Sequence, residues 1–228
     1  MGVVPGTTGE PVVLERVAGA SGELVLRRAG AHLEIIGNGM FLMDTRNGES
    51  ERLLVQAAVA GLDGPVRLLI GGLGVGFSLA EALRAAQVRQ VTVVEREPAV
   101  INWHRTLLRP WSQDALEDPR VTLECADVLE FVAAPGAGLF DALCLDIDNG
   151  PDWTVTPGNA RLYGPQGLDL LAARLTRRGV LTVWSANAAP WFEALLRRRF
   201  AQVEAHPVPV PRGEPDLVYL ARGPLPAA

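Results

Sequence analysis

The sequence contains no lysine, only two cysteines and three histidines, and no long apolar run. Without lysine, the Gly-Lys-Ser/Thr signature of a phosphate-binding loop is excluded. The cysteines and histidines do not have the spacing of a metal site, so we expect no bound metal. No apolar segment approaches the roughly 18 residues of a membrane span, and the first residues lack the features of a signal peptide. We therefore expect a cytoplasmic protein that does not bind membranes.

The sequence also lacks an excess of positive charge, with a formal net charge of −5 at pH 7. This argues against a nucleic-acid partner, which needs a basic surface, and is compatible with a cationic small molecule. Cys125 and Cys144 lie in apolar, strand-like runs, so we expect buried, reduced thiols, as is usual in the cytoplasm. With 228 residues, of which 48% are hydrophobic, the chain suits one large domain or one domain with a small appendage.

Residues 1–48 predict a small antiparallel β-unit, because four short β-like runs alternate with Gly- and Asn-rich turns. The pattern then becomes helical, with Asn47 or Ser50 as candidate caps of the helix that follows. From there onward, apolar runs of strand length alternate with helical segments, which predicts an α/β fold. We expect residues 49–228 to form a doubly wound, mostly parallel, seven-stranded sheet whose last strands form an antiparallel edge.

Glycine and acidic residues follow four consecutive strands of this predicted sheet. They are Gly71–Gly76 after the first strand, Glu95 after the second, Ala126 and Asp127 after the third, and Asp146–Asn149 after the fourth. Taken singly, Asp127 also suits a helix cap, and Asp148–Gly150 also suits a turn. Ligands of such sheets bind outside the carboxyl ends of the strands, so the joint placement predicts one binding site at this edge.

The spacing of the glycines indicates which nucleotide-type ligand this site takes. A dinucleotide fingerprint requires Gly-x-Gly-x-x-Gly, but here Gly72, Gly74 and Gly76 are separated by single residues. This pattern, with an acid after the second strand, resembles the S-adenosylmethionine site of Rossmann-like domains of the methyltransferase type. Gly71 and the three alternating glycines would then let the backbone approach the ligand closely. Glu95 would bind the ribose hydroxyls.

Longer stretches resemble the spermidine synthase (polyamine aminopropyltransferase) family. Ile70–Gly76 is similar to the family's Ile-Gly-Gly-Gly-Asp-Gly-Gly loop, and Phe140–Asp146 is similar to the strand that ends in its catalytic aspartate. The other similar segments are Val93–Ile101, Asp118–Phe131 and Leu162–Gly164. An N-terminal β-unit before the nucleotide domain also belongs to that family.

The resemblance implies a transferase that moves an aminopropyl group from decarboxylated S-adenosylmethionine to a small-molecule amine, in a homodimer without a metal. Carried over residue by residue, Glu95 would bind the ribose, Ala126 and Asp127 the adenine, and Asp146 would be the catalytic base. The chemistry agrees, because an ammonium cannot attack until it loses a proton, and a nearby carboxylate can accept that proton. The donor's sulfonium is already an activated leaving group, so proximity and alignment are the main requirements.

Departures from the family pattern bear on the substrates. The family's acidic loop residue, which holds the aminopropyl ammonium of the decarboxylated donor, falls here on Leu73–Gly74. The family's Asp-Ser-Ser-Asp-Pro motif is Asp146–Pro151 here, which leaves Asp148 and Asn149 as candidate ligands of the acceptor. Trp184, at a strand end, is a further candidate substrate-binding residue, although packing explains such a tryptophan equally well.

These departures keep two other functions open. Without the loop acid, intact S-adenosylmethionine would meet less repulsion at its carboxylate. A methyltransferase or an aminocarboxypropyl transferase that uses S-adenosylmethionine on a small metabolite is therefore an alternative. A non-catalytic protein that keeps the nucleotide pocket is a third hypothesis. His104, on the helix after Glu95, is expected at the surface or as a capping residue.

Overall fold

The computed structural model describes residues 10–211 and 213–226. The strands are β1 Val12–Gly19, β2 Gly22–Ala29, β3 His32–Gly37, β4 Met40–Asp44, β5 Val66–Gly71, β6 Val88–Glu95, β7 Val121–Cys125, β8 Phe140–Leu145, β9 Leu175–Ser185, β10 Phe200–Val208 and β11 Asp216–Pro224. The helices are α1 Glu49–Val59, α2 Phe77–Arg84, α3 Pro98–His104, α4 Arg109–Ser112, α5 Val128–Ala133, α6 Ala160–Tyr163, α7 Pro165–Ala173 and α8 Pro190–Arg197. Among the described residues, no helix is long and apolar enough to cross a membrane.

The strands form two sheets. The first four strands make an antiparallel sheet in the order β1-β2-β3-β4, as the N-terminal turns predict. The other seven make a sheet in the order β10-β11-β9-β8-β5-β6-β7. In this sheet β5 to β9 are parallel, and β11 is antiparallel to β9 and β10. The predicted α/β fold class, a mostly parallel seven-stranded sheet with a small N-terminal β-unit, is confirmed.

The strand order places a topological switch between β5 and β8. From β5 the chain winds outward through β6 and β7, and it then returns to add β8 on the other side of β5. Crossovers on either side of such a point leave a crevice at the carboxyl ends of the two central strands. The N-terminal β-unit was expected over residues 1–48. Residues 1–9 lie outside the described part, and the boundary at residue 48 stays a prediction.

The main sheet is buried on both faces, as its near-continuous apolar strands predict. On β5, Leu68 and Ile70 point into the layer that contains α1, α2 and α3, together with side chains of β2 and β3. Leu69 points into the opposite layer, which contains α5 to α8. Successive side chains of β5 point to opposite faces of the sheet, so the strand is packed on both sides. This close-packed interior holds the carboxyl edge of the sheet rigidly.

The start of α1 differs from the prediction. Its N-cap is Gly48, and neither Asn47 nor Ser50 is the cap residue. The Asn47 side chain accepts the backbone N–H of Glu49 at 3.0 Å, and Ser50 lies inside the first turn. Gly48 takes the cap position because it packs against the ring of Phe77, where a side chain would overlap. Ser50 is therefore free to contact other side chains.

The expectation of two buried thiols is correct for one cysteine and wrong for the other. Cys144 is buried, and burial raises the pKa of its thiol to about 12. Cys125 is exposed. It is the last residue of β7, which is the edge strand of the sheet, so no further strand covers that side.

We predict that Gly76→Ala destabilises the fold far more than Gly136→Ala. Both glycines have a positive φ, +94° and +92°. A Cβ at Gly76 would lie 2.7 Å from Cε1 of His104, whereas a Cβ at Gly136 meets no atom within 4 Å. The control substitution should cost about 1–2 kcal/mol of unfolding free energy from the left-handed backbone alone. Gly76→Ala should cost about 1–3 kcal/mol more, because of the overlap. Urea denaturation measures both, and equal losses would contradict this account of the glycine loop.

Candidate active site

A cavity of about 600 Å³ lies at the carboxyl edge of the main sheet, over the switch between β5 and β8. Residues of β2 and β4 in the N-terminal sheet form part of its wall. Nine acidic side chains line the cavity, whereas Arg96 is the one basic side chain among the described lining residues. A cleft lined by one sign of charge raises the local concentration of ligands of the opposite sign. The cavity therefore favours cationic ligands.

The structure brings most of the predicted site residues together. Nine of them line the cavity: Gly72, Gly74, Glu95, Ala126, Asp127, Asp146, Asp148, Asn149 and Trp184. Gly71 and Gly76 do not line it. Gly71 ends β5 and packs against Leu145, and Gly76 caps α2. These two glycines allow the backbone turns at the two ends of the loop, and they do not contact the cavity.

Glu95, the last residue of β6, has its carboxylate fixed by two backbone N–H groups. Its Oε2 accepts the N–H of Leu73 at 2.8 Å, and its Oε1 accepts the N–H of Glu97 at 2.7 Å. Burial raises the pKa of Glu95, and these two hydrogen bonds counteract the rise. A carboxylate has about four acceptor positions, so each oxygen keeps one for a ligand hydroxyl.

The glycine loop after β5 is shaped for close approach and has no acidic side chain. Gly72 has φ +91°, and a Cβ there would overlap the backbone carbonyl of Asp146. Gly74 has φ +49° and packs directly under Met43 of β4, whose sulfur accepts the N–H of Val75 at 3.2 Å. Leu73 is buried. The positions at which the resemblance implies an acid are thus occupied by a buried leucine and a glycine covered by a thioether.

His104 lies behind this loop and is buried, so the expectation of a surface or capping residue is wrong. Its Nε2 is 2.9 Å from the carbonyl oxygen of Gly74. A carbonyl only accepts, so Nε2 carries the proton. Burial lowers the pKa of His104, which keeps the ring neutral. The histidine therefore supports the loop from the side opposite the cavity.

Asp127 both caps a helix and lines the cavity. Its Oδ1 accepts the backbone N–H groups of Leu129 and Glu130, at 2.8 and 3.2 Å, so the helix-cap interpretation left open by the sequence is observed. Its Oδ2 lies 4.0 Å from the guanidinium of Arg96. Ala126 donates its backbone N–H to the carbonyl of Glu95 at 3.1 Å, which ties the ends of β6 and β7 together.

Asp148 and Asn149 hold the loop that follows β8. Asp148 has φ +54°, and its Oδ2 accepts the N–H of Thr156 at 3.2 Å and the side-chain amide of Asn159 at 2.8 Å. Asn149 is buried, and its backbone carbonyl accepts the N–H of Ala186 at 3.1 Å. Both residues line the cavity, but their polar groups are already engaged in part with the loop itself.

Three carboxyl groups from distant parts of the chain form what we call the acidic cluster: Asp146 directly after β8, Glu51 in the first turn of α1, and Asp216 at the start of β11. The hydroxyl of Ser50 lies 3.0 Å from Oε2 of Glu51 and 2.9 Å from Oδ2 of Asp216. The side chain of Asp146 accepts no hydrogen bond from the described residues.

The cluster is strained electrostatically. Burial raises the pKa of Asp146 well above its usual value, and the negative charges of Glu51, Asp216 and Glu95 raise it further. Burial likewise raises the pKa of Glu51 and of Asp216. Within the described part of the chain, no arginine or histidine forms an ion pair with any of the three. The empty site therefore opposes ionisation of these carboxyl groups, and a bound cation would favour it.

Sequence reasoning missed Ser50 as a cluster member, and it missed Glu51 and Asp216. Glu51 is one of two glutamates at the start of a helix, where acids are common for another reason, the helix dipole. Asp216 begins a strand, whereas the acidic residues that the sequence pattern indicates end strands. Because β11 is antiparallel, its start lies at the same edge as the ends of the parallel strands. The antiparallel edge expected for the last strands was a signal, but only the pairing of β11 with β9 puts Asp216 at this site.

The strand order and the cavity at its switch point define the class, a Rossmann-like domain of the methyltransferase type. The spermidine synthase of Thermotoga maritima shares this fold, with a TM-score of 0.76 over 92% of this chain and 72% of that chain, at 18% identity. Residues 51–203 match the family model described as spermine/spermidine synthase domain. The chain belongs to the spermine/spermidine synthase family.

The relatives include aminopropyltransferases and N-methyltransferases. The polyamine aminopropyltransferase of Mycobacterium tuberculosis (strain ATCC 25618 / H37Rv) is 34% identical over 182 residues, which cover 78% of this chain and 33% of that protein. Putrescine N-methyltransferase 1 of Nicotiana tabacum is 33% identical over 107 residues, which cover 46% of this chain and 28% of that protein. The chain thus spans about a third of the length of its mycobacterial relative.

We predict that Asp146→Asn stabilises the protein at neutral pH. A carboxyl whose pKa is raised on folding keeps its proton in the native state, while the unfolded chain loses it above the ordinary value of 3.8. Between that value and the folded pKa, stability falls by about 1.4 kcal/mol for each pH unit as the pH rises. The asparagine variant should therefore match the parent near pH 4 and be the more stable of the two at pH 7.

Urea denaturation at pH 4, 5.5 and 7 measures this difference. Asp63→Asn, in the exposed segment between α1 and β5, is the matched control and should show no such divergence with pH. An Asp146→Asn variant that is less stable than the parent at pH 7 would contradict the electrostatic description of the cluster.

Proposed function

We propose that the chain is an aminopropyltransferase, which moves the aminopropyl group of decarboxylated S-adenosylmethionine to a small-molecule amine. The observation that carries this proposal is the acidic cluster, which lies in the cavity without a paired cation among the described residues. Buried charges are normally paired, and an amine substrate would supply the missing positive charge. The names of the aminopropyltransferase relatives support the same reaction.

The charge of the cavity also bears on the donor. Intact S-adenosylmethionine carries a carboxylate, which nine acidic lining side chains would repel. The decarboxylated form carries only the sulfonium and the ammonium. The charge of the whole cavity therefore favours the decarboxylated donor, although the loop at Leu73 and Gly74 has no acid. In this proposal the negative potential comes from several strand ends together.

The adenosine part of the donor would lie over the ends of β5, β6 and β7. Glu95 would accept hydrogen bonds from the ribose hydroxyls through the free positions of its two anchored oxygens. Ala126 and Asp127 would contact the adenine, with Oδ2 of Asp127 as the acceptor, since its Oδ1 caps α5. Gly72 and Gly74 would let the backbone approach the donor closely. Asp148, Asn149 and Trp184 would line the acceptor side.

Asp146 would act as the base. The acceptor nitrogen attacks the methylene carbon next to the sulfonium, the carbon–sulfur bond breaks, and methylthioadenosine leaves as a neutral thioether. In this proposal the positive charges of the bound donor and acceptor lower the pKa of Asp146 again and favour its ionised form, and the proton that the nitrogen must lose then passes to the Asp146 carboxylate. A raised pKa makes this carboxylate a stronger proton acceptor than an ordinary aspartate. The remaining acceleration would come from holding the two substrates in line.

We predict that Asp146→Asn lowers turnover by roughly 100- to 10,000-fold, the range that a general base contributes. Affinity for methylthioadenosine should change by less than about twofold, because the ribose and adenine ligands are untouched. Turnover is measured as methylthioadenosine released from decarboxylated S-adenosylmethionine with a panel of amines, and affinity by calorimetry. Asp63→Asn is the control of equal charge change. Full turnover in Asp146→Asn would remove this residue from the base role.

The Nicotiana relative favours a second candidate, methyl transfer from intact S-adenosylmethionine to an amine. The same carboxylates would hold and deprotonate the amine, and only the donor would differ. Calorimetry with both donors and mass spectrometry of the products separate the two reactions. Tighter binding of the intact donor, with a methylated product, would replace the aminopropyl proposal. Binding of both donors without any product would favour a non-catalytic protein.

The remaining expectations are part of the same proposal. Residues 1–48 would be a distinct β-unit that walls the cavity of a catalytic domain at residues 49–228. The protein would work as a homodimer in the cytoplasm, without a metal. Light scattering measures the mass in solution, and a monomer at working concentration would remove the dimer from this proposal.

A further inference from the structure

The glycine loop has a backbone donor that is satisfied by sulfur. The N–H of Val75 donates to the sulfur of Met43, on β4, at 3.2 Å. A thioether is a weak acceptor, whereas a carboxylate oxygen is a strong one. Oxygen atoms accept three other N–H groups of the loop at 2.8 to 2.9 Å, and these are the N–H groups of Gly72, Leu73 and Gly76. The Val75 N–H is therefore the loop donor that gains most from a stronger acceptor.

The side chain of Met43 lies between this donor and the cavity. Met43 and Gly74 line the cavity, whereas Val75 does not. A Cβ at Gly74 would overlap the Met43 sulfur, so the thioether lies directly against the loop backbone. No described residue accepts the N–H of Gly74. Its φ of +49° suits a backbone whose successive N–H groups converge on an anion. Met43 therefore covers two adjacent donors, the N–H groups of Gly74 and Val75.

The two candidate donors differ in the chain attached to the sulfonium. The decarboxylated donor ends in an ammonium, whereas intact S-adenosylmethionine carries a carboxylate on the same carbon as its ammonium. A carboxylate forms charge-assisted hydrogen bonds with backbone N–H groups, whereas an ammonium has no acceptor position. Two converging N–H groups beside the donor would therefore favour the intact form. A thioether that covers these groups removes that preference.

We propose that Met43 is a specificity-determining residue, whose thioether withholds the N–H groups of Gly74 and Val75 from the carboxylate of intact S-adenosylmethionine. This rests on the proposed function for the position of the donor beside the glycine loop. The unbranched side chain of Met43 fills the space against Gly74 and presents an apolar surface to the end of the donor. His104 and Glu95 anchor the loop independently of Met43. The loop therefore keeps its shape when the thioether is shortened.

The role of Met43 is tested with two short side chains and two controls. Met43→Ala and Met43→Val both open the loop donors to the cavity, whereas Met43→Leu keeps a long apolar side chain over them. Met40→Ala removes the same side chain from the other end of β4, about 10 Å away at the usual rise per residue. Calorimetry gives the affinity of each variant for intact S-adenosylmethionine, for its decarboxylated form and for methylthioadenosine, which lacks the chain that differs.

Each short variant should shift the ratio of the two donor affinities roughly tenfold toward the intact donor, the usual size of a hydrogen bond to a charged group. The affinity for methylthioadenosine should change by less than about twofold, and Met43→Leu and Met40→Ala should keep the parent's ratio. The acidic residues of the cavity are the same in every variant, so they do not affect this comparison. An unchanged ratio in the short variants would overturn the proposal, and so would an equal shift in Met40→Ala.

The change in the ratio on substitution is measured so that the two proposals fail separately. If the parent prefers the intact donor and forms a methylated product, the proposed function is wrong, and a further shift in the short variants leaves the role of Met43 standing. If the parent forms the aminopropyl product and the ratio stays constant in the short variants, the role of Met43 is wrong and the proposed function stands. Thermal unfolding identifies a short variant that fails to fold, and the other short variant then decides.

Discussion

Negative charge without a matching cation is the constraint on which this site depends. The seven-stranded sheet brings Glu95, Asp146 and Asp216 to one edge. The α1 helix, which packs against β8, β9 and β11, adds Glu51 to this group. Like charges raise one another's pKa and cost stability in the empty protein. Two apolar layers, one on each face of β5, hold the edge rigid against that repulsion. A scaffold that opposes ionisation of these groups in the empty protein is prepared for a ligand of positive charge, because the bound cation favours the ionised carboxylates.

The sequence predicted the part of the site that follows from local pattern. Apolar runs that end in glycine or acid located Glu95, Asp127 and Asp146, since parallel strands bring their carboxyl ends to one edge without any knowledge of register. Glu51 and Asp216 could not be found in that way. An antiparallel edge was expected for the last strands, but Asp216 reaches the site because β11 pairs with β9, and Glu51 faces inward because α1 packs across β8, β9 and β11. These pairings belong to tertiary packing, which a single sequence does not encode in its periodicity.

The glycine loop illustrates the same division between local pattern and packing. Its spacing predicted the type of site, and the absence of an acid at Leu73 and Gly74 was plain from the residues alone. The sequence alone did not show which groups lie at the place of that acid. Met43, on β4 of the N-terminal sheet, covers Gly74. On the side away from the cavity, Nε2 of His104 contacts the Gly74 carbonyl oxygen. The buried neutral ring of His104 and the thioether of Met43 therefore pack against the loop from two sides and hold it rigidly. Glu95 anchors the same loop by accepting the N–H of Leu73.

In the proposed reaction, the loop and the far end of the cavity would act differently on the two substrates. A loop without an acid offers no charged group to the donor's side chain, so the donor would be recognised mainly through its adenosine and its sulfonium. Asp216 lies two strands beyond Asp146, and negative charge there would attract the acceptor more strongly than the donor, because Coulomb energy falls with distance. Discrimination would then rest more on the acceptor than on the donor. Such a site would be compatible with relatives whose names give different transferred groups, since a site selective for the acceptor constrains the transferred group only weakly.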